Sequence, residues 1–136
     1  MTETFVLDAW AILAYLNKES PADTRVVEIL EQARQSKVHA FISIINLGEV
    51  YYCVGRIHGE TSANRVLEKL FLLPIEVLSV DNDMVLAAAR LKMTYAISYA
   101  DAFAVVTSQQ RDAVLLTGDP ELVKLERVLQ IEKLIR

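Results

Sequence analysis

The sequence predicts an α/β fold: a parallel sheet with helices on both faces, in three α/β/α layers. Two observations carry this. Short apolar runs of four to six residues alternate along the chain with longer amphipathic segments. The short runs are apolar throughout rather than alternating, as expected of strands buried on both faces. One domain suffices for the 136 residues, and no repeat, low-complexity tract or linker divides them.

The elements follow in order. Thr4–Leu7 is a first strand, ended by Asp8, and Ala9–Leu16 is a helix-forming segment. Ser20-Pro21 reads as a helix start, with Ser as N-cap and Pro at the first helical position. Val26, Val27, Leu30 and Ala33 then form an apolar stripe. Val38–Ile42 is a second strand. Ser43 caps a helix running to about Gly59, and Thr61 starts another that Pro74 breaks. Ile75–Val80 is a third strand, and Asp81 caps a helix through about Lys92. Ser98 caps a helix over Tyr99–Arg111, and Ala113–Leu116 is a buried strand. Gly118-Asp119-Pro120 opens a short final helix, with a last strand at Leu129–Ile131. Trp10, Tyr15, Phe41 and Phe103 lie in apolar runs and read as core.

Composition narrows the function. A net charge of −4 argues against a protein that coats nucleic acid nonspecifically. It leaves room for a nucleic-acid enzyme in which a divalent cation supplies positive charge locally. No apolar run approaches the ~18 residues of a membrane span. Glu3 and Asp8 stand where a signal peptide would carry Lys or Arg, so a soluble, cytoplasmic protein is expected. The lone Cys53 cannot form an internal disulfide and fits a reducing compartment.

Four acids stand out by position. Asp8 ends the first strand, and Glu49 lies six residues beyond the cap Ser43. Asp101 lies three residues beyond the cap Ser98, and Asp119 follows the fourth strand. If the strands are parallel and adjacent, all four can converge at the carboxyl ends of the sheet, where such folds bind ligands. Carboxylates that share a site repel one another, and a hard divalent cation relieves the conflict. Mg²⁺ or Mn²⁺ suits this all-oxygen set. His39, His58 and Cys53 form no zinc pattern. Thr117 and Ser43 carry hydroxyls able to orient a carboxylate or a metal-bound water. A cation there would acidify water and stabilise charge on phosphorus.

Each acid also has a plainer reading. Asp8 and Asp119 can be N-caps, the latter followed by Pro120. Ser98-Tyr99-Ala100-Asp101 forms a capping box. Glu49 can be a solvated helix residue. Arg56 and Arg65 are as readily solvated as in contact with nucleic acid. Tyr51 or Tyr52 would border the site.

Four blocks together carry a resemblance: Phe5-Val6-Leu7-Asp8, Ile42–Tyr52 around Glu49, Ser98–Ala104 around Asp101, and Leu116-Thr117-Gly118-Asp119-Pro120-Glu121. In this order the chain resembles the PIN-domain ribonucleases, and among them the VapC-type toxins of toxin–antitoxin pairs. The resemblance implies a five-stranded parallel sheet of order 3-2-1-4-5 and Mg²⁺- or Mn²⁺-dependent cleavage of RNA. It also implies a homodimer and a cognate antitoxin protein. Asp8, Glu49 and Asp101 would be its core acids. Asp119 would be the fourth, the one whose direct metal contact varies most, and Thr117 matches the family's Ser/Thr near the site. Apolar residues on the helices Ile44–Ile57 and Val66–Phe71 would serve the core, a dimer face or an antitoxin groove. Two readings compete with the nuclease: a non-catalytic module of the same fold, and another metal-dependent phosphoryl-transfer enzyme.

Overall fold

The computed structural model describes residues 2–136. Five strands form one sheet, β1 (Glu3–Leu7), β2 (Val38–Ser43), β3 (Glu76–Leu78), β4 (Val114–Thr117) and β5 (Ile131–Lys133). All pairings are parallel, and the order is β3-β2-β1-β4-β5. Seven helices connect them: α1 (Ala9–Leu16), α2 (Ala22–Arg34), α3 (Ile44–His58), α4 (Glu60–Phe71), α5 (Asn82–Thr94), α6 (Tyr99–Gln110) and α7 (Pro120–Val123).

Alternation along the central strands builds the two outer layers. On β1, Phe5 and Leu7 enter the cluster formed with α1, α2, α3 and α4, whereas Val6 enters the one formed with α5, α6 and α7. On β4, Leu116 joins the first cluster and Leu115 the second. Both sheet faces are covered, which accounts for strands apolar at nearly every position. Helix α6 is buried without interruption from Asp101 to Ser108. Ala102 and Ala104 keep its girth small enough to lie between the sheet and its neighbouring helices. Its interior hydroxyls turn back on their own helix, Thr107 donating to the Phe103 carbonyl and Ser108 to that of Ala104, each at 2.8 Å.

Several boundaries differ from the sequence expectation. Helix α2 starts at Ala22, not on a Ser20 cap. Pro21 occupies the cap position with no side-chain cap, and the Ser20 hydroxyl donates to the Asp23 carboxylate at 2.9 Å. Helix α4 begins at Glu60 because Gly59, at φ +90°, ends α3 and caps α4 at once. That left-handed backbone suits glycine. Strand β3 spans only Glu76–Leu78, since the turn after Pro74 holds Ile75, whose N–H donates to the Leu73 carbonyl. The last strand lies two residues later than expected. Leu129 still closes a helical turn onto the Leu125 carbonyl, and pairing with β4 sets Ile131 opposite Leu115. Phe103 is core as expected, while Trp10, Tyr15 and Phe41 are partly buried against it.

The late strand is tied down by a side-chain pair. Arg25 on α2 grips Glu132 on β5 through two hydrogen bonds, Nε to Oε2 at 2.7 Å and Nη2 to Oε1 at 3.0 Å. A lysine cannot reproduce this two-pronged geometry. Arg25→Lys is expected to lower the unfolding free energy by about 1 kcal/mol, because the pair is roughly one-third exposed. Urea denaturation measures this, and an unchanged midpoint would show the pair to be energetically idle.

Candidate metal centre

The order β3-β2-β1-β4-β5 reverses direction at β1, leaving a crevice at the carboxyl ends of β1 and its neighbours. Asp8 is the first residue beyond β1 and sits in that crevice, 1% exposed. Its Oδ1 accepts the Ala11 N–H at 2.9 Å and so caps α1. Its Oδ2 accepts the Thr117 hydroxyl, delivered from the end of β4. Thr117 Oγ1 in turn accepts the Asp119 N–H at 3.0 Å. One threonine thereby links the two acids. Asp119 Oδ1 accepts the Glu121 N–H at 2.9 Å and caps α7, with Pro120 next in the helix.

Asp101 stands in the first turn of α6. The Ser98 hydroxyl caps its N–H at 3.1 Å. Among the described residues the Asp101 carboxylate does not bond back to Ser98 N–H, so the reciprocal half of a capping box is missing. The carboxylate instead gathers with Asp119 and Glu121, whose oxygens lie with its own within 4.8 Å of one another. Glu49 arrives from the second turn of α3, half-buried.

Asp8, Glu49 and Asp101 each feel the charge of at least one other acid of the crevice. Burial pushes Asp8 up to about 7, against the Thr117 and Ala11 hydrogen bonds, and Asp119 and Glu49 raise it further. Burial likewise pushes Asp101 up to about 7, with Asp119 and Asp8 adding to the rise and the Ser98 hydroxyl opposing it. Glu49 is raised by burial and by Asp119, against the nearby Asn46 amide. Glu49 Oε1 is buried without a hydrogen-bond partner.

These features fit a divalent cation: oxygen donors only, the raised pKa values of Asp8 and Asp101, and a buried Glu49 oxygen left unpaired. Among the described residues, Asp101, Asp119 and Glu121 bring carboxylate oxygens close enough together to share such an ion, with Asp8 and Glu49 nearby.

Sequence reasoning placed these four acids and Thr117 at the crevice. Ser43 differs. It is fully buried at the end of β2, but its hydroxyl accepts the Ile45 N–H at 3.2 Å, and among the described residues it bonds none of the acids. Of the two tyrosines, Tyr51 is drawn away, its hydroxyl donating to Asn64 Oδ1 at 2.6 Å. Tyr52 is exposed, and the Glu49 charge raises its pKa. Two residues went unseen in the sequence. Glu121 looked like an ordinary acid in a first helical turn. Asn46 is fully buried and donates to the Ala100 carbonyl at 3.1 Å, bracing α3 against the turn that carries Asp101. A polar amide inside the apolar run Ile44–Leu47 was its signal.

An open parallel sheet with carboxylates gathered at its switch point defines the architecture: an α/β protein with an acidic cluster at the carboxyl ends of its strands. The chain belongs to the PIN domain family, whose sequence pattern matches residues 5–128. Solved structures share the architecture. VapBC2 from Rickettsia felis, bound to a DNA fragment from its promoter, is 18% identical, with 97% of this chain and 99% of that one covered at TM-score 0.75. DNA-bound VapBC from Salmonella typhimurium is 19% identical, with 98% of each chain covered at TM-score 0.72. VapC20 from Mycobacterium tuberculosis, described as a sarcin-ricin loop cleaving toxin, is 16% identical, with 88% and 93% covered at TM-score 0.68. At these identities the shared property is the fold. No curated protein matches the chain significantly. Among the described residues no helix is long and apolar enough to cross a membrane.

Proposed function

We propose that this chain is a metal-dependent endoribonuclease, the toxin of a toxin–antitoxin pair. The observation that carries the reading is the buried Asp8, held by Thr117 at the switch point and surrounded by Glu49, Asp101 and Asp119. A phosphodiester is anionic, and so is every acid of this pocket once ionised, so substrate could not approach without an intervening cation. When bound, Mg²⁺ or Mn²⁺ supplies that charge and lowers the pKa of a water.

The chain's own groups do the rest. Thr117 fixes which Asp8 oxygen stays free of the α1 cap. Asn46 holds the first turn of α6, which carries Asp101, against α3, which carries Glu49. The N-termini of α1, α6 and α7 open around the crevice and add partial positive charge for phosphate. The fold shared with VapBC complexes, and with a toxin that cleaves a sarcin-ricin loop, supports RNA as substrate and an antitoxin as protein partner. By its resemblance to the VapC-type toxins the chain would act as a homodimer, and the absence of a membrane-spanning helix among the described residues is consistent with action in the cytoplasm.

The purified protein should cut RNA with Mg²⁺ or Mn²⁺ and stop when EDTA is added. Cleavage that continues in EDTA would overturn the mechanism. Single-stranded DNA and a phosphomonoester, assayed beside RNA, separate a ribonuclease from other phosphoryl-transfer enzymes. No Mn²⁺ binding at millimolar concentration would leave only a non-catalytic module.

A further inference from the structure

Gly118 lies between Thr117 and Asp119, in the turn that delivers both to the crevice. Its backbone conformation is open to any residue, yet a side chain is sterically barred. A Cβ there would overlap the Trp10 ring at Cη2, Cζ2 and Cζ3. Trp10, two residues past Asp8 on α1, thus lies flat against the backbone of the turn. On the ring, the Arg136 guanidinium sits 4.9 Å from the centroid. Arg136 is itself steered by Glu19, Nη1 to Oε1 at 3.4 Å. The segment bearing Arg136 is bound to the same turn through its backbone. Thr117 pairs with Lys133, and the Leu134 N–H donates to the Thr117 carbonyl at 2.8 Å.

We propose that Trp10 is a positioning residue for the metal centre: its ring, held down by Arg136, presses on Gly118 and fixes the turn that carries Thr117 and Asp119. Hydrogen bonds anchor Thr117 and Asp119 on either side of Gly118, and the indole is the side chain packed on Gly118 itself. Asp119 is half-buried, and α7 beyond it is a single turn. Without the ring, the backbone at Gly118 gains room to move. The Asp119 N–H can then leave Thr117 Oγ1, and the hydroxyl that orients Asp8 loses its own anchor. Supporting groups of this kind typically govern metal affinity as strongly as some ligands do. The assignment rests on the metal-centre reading above.

Mn²⁺ titration calorimetry on the full chain tests it. Trp10→Ala is expected to weaken Mn²⁺ binding about tenfold or more, with kcat on RNA falling and KM little changed. Trp10→Phe keeps an aromatic ring but lacks the Cη2, Cζ2 and Cζ3 atoms that meet Gly118, so it should recover only a small part of the lost affinity. Arg136→Ala should weaken Mn²⁺ binding about two- to fivefold, the worth of an exposed cation–π contact. Trp10 is the only tryptophan, so its fluorescence should change on Mn²⁺ addition in the wild type. Leu30→Ala, in the core of α2, is the control for general destabilisation. Wild-type affinity in Trp10→Ala, or an equal loss in Leu30→Ala, would overturn the assignment. Should Trp10→Ala not fold, unchanged affinity in Arg136→Ala overturns it. A wild-type protein that binds no Mn²⁺ overturns the metal-centre reading as well, and that result appears before any substitution is made.

Discussion

Asp8→Asn is expected to lower the rate of RNA cleavage about a thousandfold, the several kcal/mol of transition-state stabilisation that a correctly held cation supplies. The substitution is nearly isosteric. The amide oxygen can still accept the Ala11 N–H and keep the α1 cap. What disappears is the charge at the centre of the pocket, together with the Oδ2 acceptor of the Thr117 hydroxyl, which must turn round to accept from the new amide. The folded protein should not suffer, because that charge is buried and disfavoured in the absence of a cation. Thermal unfolding in EDTA at pH 8 should show Asp8→Asn at least as stable as wild type. Loss of activity together with undiminished stability separates a metal ligand from a structural cap. Asp8→Asn with near wild-type cleavage would sink the proposed role.

The second large effect is a reversal of pH dependence by metal. Burial holds Asp8 and Asp101 protonated up to about 7, whereas in the unfolded chain both ionise near 3.8. Between these values the folded state binds more protons than the unfolded state. The contribution of these two acids to the metal-free fold is therefore greatest below about pH 4, is lost as pH rises through about 7, and levels off above. For Asp8 alone the loss is on the order of 4 kcal/mol. A divalent cation requires the ionised acids, so its binding should strengthen over the same interval. At a free concentration a hundredfold above its Kd, it returns about 2.7 kcal/mol. Denaturant midpoints in EDTA should fall from pH 5 to pH 8. With saturating Mn²⁺ the fall should shrink or reverse. Parallel pH profiles with and without metal would contradict the assignment of these two acids as ligands.

The sequence carried the fold well where burial dictates pattern. β1 and β4, covered on both faces, show it in unbroken apolar runs, and Asp8 and Thr117 end those runs visibly. Edges were less legible. β3 and β5 are three residues each, and their limits follow from pairing with a neighbour and from adjacent turns rather than from their own residues. The start of α2 misled because Ser20-Pro21 has the composition of a cap, while the Ser20 hydroxyl finds a better partner in Asp23. At the crevice, Asp8, Asp101 and Asp119 drew notice because each stands at a strand end or in a capped first turn, and Glu49 because it closely follows an apolar run. Glu121 and Gly118 were not singled out, since their importance is a matter of distance: one acid brought near two others by a single turn, and one missing side chain beneath an indole. No local pattern encodes either. Ser43 shows the converse, a residue of the right type at the right strand end whose hydroxyl is spent on its own helix.

The unbroken burial of α6 from Asp101 to Ser108 divides the pocket into a fixed wall and an adjustable one. A helix packed on every side has no free direction in which to shift, so Asp101 serves as the reference point from which the other acids are measured. Glu49, on a half-exposed face, and Asp119, on a one-turn helix, lie on the compliant side. If a metal ion binds as proposed, accommodation to ions of different radius would fall chiefly to Glu49, and to Asp119 within the limits its turn allows, while Asp101 would stay where the core has put it.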